Sequence, residues 1–172
     1  AFLNLREEAT LARRILARSA VKTRALWGVD LEFATSAPIL LDRLDGWAKT
    51  PAQTAAIAAA RAKSGPLMAL SNYGAAIYDP LEAAFARGPK AARDLIADMR
   101  LSSDIYRIQD GVAANRSNRM REDYMKRNFL ARWRASGKTP PRLVMKFGGY
   151  HLTAGLSPAA TPSLGRFVHS LP

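Results

Sequence analysis

Apolar residues recur at helical spacing along most of the chain. Leu11 and Ile15, with Ala12 and Leu16, form a stripe behind Asn4-x-x-Glu7, which has the form of a capping box. The spacing predicts a helix to about Ser19. Thr35 or Ser36 before Pro38 opens a second helix, with Ile39, Leu40, Leu41 and Leu44 inside it. Thr50-Pro51-Ala-Gln53 is a strong start signal: a cap, a proline in the first turn and a capping-box glutamine. The alanine-rich helix behind it should end near Gly65. Asp79-Pro80-Leu81-Glu82 repeats that logic, and Gly88-Pro89 stops the helix it starts. Two longer helical stretches follow, about 90–109 and 113–135, divided at Asp110-Gly111. The second carries Met125, Phe129 and Trp133 at four-residue spacing, the mark of a core stripe rather than a cofactor box. A last short helix is expected after Pro162.

Two stretches break the helical period. Ala25-Leu-Trp-Gly-Val-Asp30 is a short apolar run that ends in an acid. Leu143-Val-Met-Lys-Phe147 is another, and Gly148-Gly149-Tyr150-His151 follows it. Each reads as a buried strand. The expected fold is therefore α/β: helix-rich, with a small parallel sheet covered by helices. One such domain would span residues 1–172, with a largely helical insertion over 51–136. A two-stranded parallel sheet is marginal by itself. The strand count thus predicts an incomplete domain, its missing strands lying upstream of Ala1 or on another chain.

Composition narrows the chemistry. Of 172 residues 48% are apolar and 23% charged, which excludes a disordered or collagen-like chain. The absence of cysteine excludes disulfides, thiolate nucleophiles, zinc fingers and iron–sulfur clusters. His151 and His169 are the two histidines, so no three-histidine site exists. No window reaches the roughly 18 uninterrupted apolar residues of a membrane-spanning helix, and Ala1–Glu8 turns charged too soon for a secretory signal. The net charge is +12, and it is concentrated: residues 100–146 carry 12 Lys/Arg against 4 Asp/Glu. Such an excess suits an anionic partner, whether nucleic acid, phospholipid headgroups or an anionic ligand, or else forms a solvated helix face. No zinc-finger ligand set or RNA-platform motif accompanies it.

In open α/β sheets, ligands gather beyond the carboxyl ends of the strands. The first expected strand delivers Asp30 and, after Leu31, Glu32; the second delivers His151 behind two glycines. A histidine beside carboxylates can act as general acid or base, or join oxygen ligands around a metal. The competing reading has Asp30 and Glu32 capping the next helix and His151 satisfying a loop carbonyl. His169 reads as a surface residue. Ser157 and Ser163 lie near His151 but in no Gly-x-Ser-x-Gly elbow, and neither a P-loop nor a dinucleotide fingerprint occurs.

Three segments in order resemble one family. Trp27-Gly28-Val-Asp30-x-Glu32-Phe33 resembles the strand ending in Gly-x-Asp-x-Glu of erythromycin esterase-like proteins. Arg121-Glu-Asp-Tyr-Met125-Lys-Arg-Asn128-Phe129 resembles their Arg-x-x-x-Met-x-x-Asn helix. Lys146-Phe-Gly148-Gly-Tyr-His151, with Gly155-Leu-Ser157 and Ser163-Leu164-Gly165, resembles their last strand and histidine loop. The resemblance implies a superfamily that includes these hydrolases and the haem-uptake ChaN-like proteins. Their cleft also uses an N-terminal Gly-Glu-x-His-Gly segment, which this sequence lacks. By resemblance, His151 is the histidine of the cleft, Glu32 or Asp30 its acidic companion, and Arg121 a fixed inward charge. Water attack on an ester or related carbonyl of a small molecule follows, with secretion or an envelope location as the family's habit. The alternatives are a haem or metal carrier using His151 and Tyr150 without turnover, and a basic nucleic-acid-binding module.

Overall fold

A computed structural model describes residues 5–19, 26–31, 36–63, 74–108, 114–137, 142–157 and 160–171. Among them are seven α-helices: α1 Arg6–Arg18, α2 Ala37–Asp45, α3 Pro51–Lys63, α4 Ala75–Phe85, α5 Lys90–Arg107, α6 Ala114–Ala135 and α7 Leu164–His169, with a 3-10 turn over Gly149–Leu152. The chain divides into two compact units, one formed by Ala1–Asp30 with Asn118–Pro172 and one by Leu31–Ser117.

The expected parallel sheet is absent among the described residues. Residues 26–30 and 142–148 carry no strand, and the β-pairing among the described residues is a single isolated bridge, Leu156 to Pro162. The fold is all-α, not α/β. The misreading has a physical source. A short apolar run reports that its side chains are buried; it does not report that its backbone is paired. Val29 is buried against α6 residues Met125 and Phe129, and Met145 and Phe147 pack on the same cluster. Val144, between them, is 82% exposed. The period of two is present, but the burial comes from helix side chains.

The central unit, Leu31–Ser117, is a helical array in which α2 packs on α3, α3 on α4 and α4 on α5. Its core takes Leu41 and Leu44 from α2, Ile57 from α3, Tyr78, Leu81 and Phe85 from α4, and Ile96 and Met99 from α5. The start of α3 follows the sequence signal. Gln53 N–H donates to Thr50 Oγ1 at 3.3 Å, and Gln53 Oε1 accepts from the N–H of Thr50 at 3.2 Å and of Lys49 at 2.7 Å. The amide end of the same side chain donates to the Ala84 carbonyl at 3.2 Å, so this buried glutamine is satisfied at both ends.

α4 departs from expectation. It starts at Ala75, and Pro80 lies inside it rather than in its first turn. Proline has no N–H for the carbonyl four residues back, which here is Ala76. Lys63 Nζ donates to that carbonyl at 3.3 Å, so the acceptor orphaned by Pro80 is satisfied from α3. α4 thus starts early, whereas α1 starts late. Leu5 is its N-cap, and Glu8 Oε2 accepts from the Leu5 N–H at 3.5 Å. Leucine offers no side-chain acceptor, so this is half a capping box. Asn4 and Gly65 lie outside the described residues.

The other unit is built around α6, from Asn118 onward. The expected stripe is its core: Met125 and Phe129 are buried with Val29 and Leu164. Trp27 meets Phe129 edge-on at 5.6 Å, and Trp133 stacks on it at 5.9 Å. No helix of the described residues is long and apolar enough to cross a membrane.

Candidate functional site

α6 carries two adjacent charged residues, Arg121 and Glu122, that are drawn inward with its apolar stripe. Glu122 stands three residues before Met125 and seven before Phe129, so helical periodicity puts it in register with the core. It is 2% exposed. Its Oε1 lies 2.7 Å from His151 Nδ1, and the histidine side chain is 15% exposed. Its other oxygen, Oε2, is buried and has no hydrogen-bond partner among the described residues. A buried carboxylate oxygen left unpaired costs free energy, which sets Glu122 apart from an ordinary surface acid.

His151 is placed by the turn that holds it. Its own N–H donates to the Gly148 carbonyl at 3.0 Å, closing the 3-10 turn over Gly149–Leu152. α7 packs on this turn so closely that a Cβ at Gly165 would stand 2.6 Å from the Leu152 carbonyl. Ser163 caps α7, accepting from Arg166 N–H at 3.0 Å, and its hydroxyl donates to the Thr153 carbonyl. Lys126 of α6 donates to the Pro162 carbonyl at 2.5 Å. The loop from His151 to α7 is thus bound to α6 at both ends. In the tautomer that donates from Nδ1 to the carboxylate, the ring presents Nε2 as its basic edge.

Asp30 does not meet His151. It receives a two-pronged contact from Arg121, Nε to Oδ1 at 2.9 Å and Nη2 to Oδ2 at 2.6 Å, with both side chains largely buried. This planar fork is the strong form of an Arg–carboxylate pair. Asn128, two turns further along α6, donates to the Val29 carbonyl at 3.3 Å. Together they fasten residues 26–30 to α6. Of the four residues singled out from the sequence, three stand on this unit as two pairs: Arg121 with Asp30, and His151 with Glu122, a residue not among the four. Glu32 lies outside the described residues. Glu122 was hidden because an acid in a basic helix reads as a surface charge; its register with Met125 and Phe129 was the available signal.

The remaining candidates are placed without a catalytic contact. Ser163 Oγ is spent on capping and on Thr153, Ser157 is buried, and His169 is exposed at the end of α7. Tyr150 is 64% exposed. Among the described residues no group of three or more His, Asp or Glu side chains is gathered to hold a metal ion. An open hollow of about 350 Å³ on this unit is lined by Lys126, Pro162, Ser163, Arg166, Phe167 and Ser170. Neither His151 nor Glu122 lines it. Compared with family models, curated proteins and solved structures, the chain finds no match.

Proposed function

We propose that His151 and Glu122 form a general-base dyad that activates water toward an ester or related carbonyl, in a hydrolase of the erythromycin esterase-like kind. The observation that carries this reading is the 2.7 Å contact between His151 Nδ1 and a carboxylate that is 2% exposed. A carboxylate on Nδ1 fixes the ring orientation and tautomer. It also stabilises the imidazolium formed when Nε2 takes a proton from water. Arg121 and Asp30 are positioning residues: the guanidinium gives Nε and Nη2 to the carboxylate and braces the helix that presents Glu122. A haem or metal carrier draws less support, because Tyr150 is turned to solvent and no ligand cluster surrounds His151 among the described residues.

The test is turnover of a panel of esters and lactones by the full-length protein, beside His151→Ala and Glu122→Gln. Loss of a general base should lower kcat by about 10²–10⁴ in His151→Ala. Glu122→Gln keeps the shape of the carboxylate without its charge, and should cost at least about tenfold. Equal turnover by wild type and His151→Ala, or no turnover of any ester by wild type, overturns the reading.

A further inference from the structure

The charge of the chain sits almost wholly on one unit. Ala1–Asp30 with Asn118–Pro172 holds 16 Lys/Arg against 5 Asp/Glu, net +11; Leu31–Ser117 holds 10 against 9, net +1. Each unit holds some of its cations in ion pairs; in the first these are Arg121, Lys126 and Lys146. In the central unit Arg61 pairs with Asp42 at 2.7 Å, Lys90 with Asp94 at 2.6 Å, Arg107 with Asp104 at 3.2 Å, and Arg100 with both Asp79 and Glu82 at 2.8 and 2.7 Å. On α6, Arg119, Arg127 and Arg134 are exposed, and none of them has an ion pair among the described residues.

These three arginines share a face. At 100° per residue they fall within about an 80° arc, and at 1.5 Å per residue they are spaced about 12 Å and about 10.5 Å along the axis. Arg127 lies over the Tyr124 ring at 5.5 Å, which limits where its guanidinium can point. One acid, Asp123, interrupts the face, and it stands 3.8 Å from Lys126.

We propose that this face of α6 is a docking surface for the phosphate backbone of a nucleic acid. A row of arginines whose backbone positions stand about 10–12 Å apart along the helix axis is on the scale of a groove about 12 Å wide, or of alternate phosphates of an extended strand. Arginine holds phosphate through paired donors, and unpaired cations release the polymer's condensed counterions on contact. A membrane surface fits less well. A helix that binds in the interface buries an apolar face among the acyl chains, whereas the apolar face of α6, Met125 and Phe129, is already buried in its own unit. This inference is independent of the His151–Glu122 dyad.

Fluorescence anisotropy on the full-length protein tests it, using labelled single-stranded DNA and a duplex of arbitrary sequence between about 50 and 200 mM salt. Binding should weaken linearly in log–log form as salt rises. The triple variant Arg119→Ala, Arg127→Ala, Arg134→Ala should lose at least about tenfold in affinity, and its salt slope should fall by about 2–3. A control triple variant of equal charge change in the central unit, Lys49→Ala, Arg87→Ala, Lys90→Ala, should stay within about twofold. Asp123→Asn should bind more tightly, a gain that a misfolded protein would not give. Absence of binding by wild type at about 50 mM salt overturns the proposal. So does equal weakening by both triple variants, or displacement of the nucleic acid by phosphatidylglycerol vesicles at matched phosphate concentration.

Discussion

Gly165 has no room for a methyl group. A Cβ there would stand 2.6 Å from the carbonyl carbon and oxygen of Leu152, and backbone atoms cannot swing aside as a long side chain can. Gly165→Ala must therefore push the 3-10 turn over Gly149–Leu152 away from α7. The expected cost is about 1–3 kcal/mol in a denaturant titration. Because His151 rides on that turn, its ring resonances should shift as well; an unshifted ring with full stability would show that the turn is not seated on α7. At this scale the sequence was half legible. His151 and Asp30 stand out by position after an apolar run, and Arg121 by a motif. Their pairing was not legible, since which carboxylate reaches which base depends on a helix register read over twelve residues, from Glu122 to Trp133. Assigning the acid to the nearest carboxylate after an apolar run passed over Glu122, whose place on the stripe needed only the 3.6-residue period.

Helix starts were legible where the capping chemistry is local. Thr50 to Gln53 and Ser163 to Arg166 each satisfy their own backbone donors within one turn, so four residues suffice to mark them. Asp79-Pro80 has the same letters but a different outcome, because Lys63, seventeen residues earlier in sequence, supplies the donor that lets Pro80 sit inside α4. The two expected strands failed for a similar reason: their apolar sides are covered by α6 and not by a neighbouring strand. One tie of the 142–148 segment is electrostatic. Lys146 pairs with Glu8 of α1, and its hydrogen bond, with that of the Leu5 N–H, holds the Glu8 carboxyl below the usual carboxylate range. A carboxyl depressed in the folded state stabilises above its ordinary titration range and loses that contribution as pH falls through the lowered value. α1 should accordingly show weaker amide protection at about pH 3 than at about pH 6 in hydrogen-exchange labelling. Glu8→Gln should remove that part of the pH dependence; an unchanged pH response in the variant would show that the pair does not anchor α1.

Two apolar cores are gathered among the described residues. One gathers residues from α2 to α5 around Phe85; the other gathers Val29, Met125, Phe129 and Leu164, and they have no member in common. Phe85→Ala and Phe129→Ala should each destabilise by about 3–5 kcal/mol. With no shared partner, the double variant should equal their sum within about 0.5 kcal/mol. A larger coupling by calorimetry would mean that the two cores act as one. The division of aromatic residues gives this partition an optical consequence. Trp27 and Trp133 both touch Phe129, while Trp47 packs on the other core with the Arg43 guanidinium 5.4 Å above its ring. Intrinsic emission is therefore an uneven witness. Two of the three indoles report on the core around α6, and the third reports on the helical array from beneath a cation, so a melt followed by indole emission is weighted toward the unit around α6.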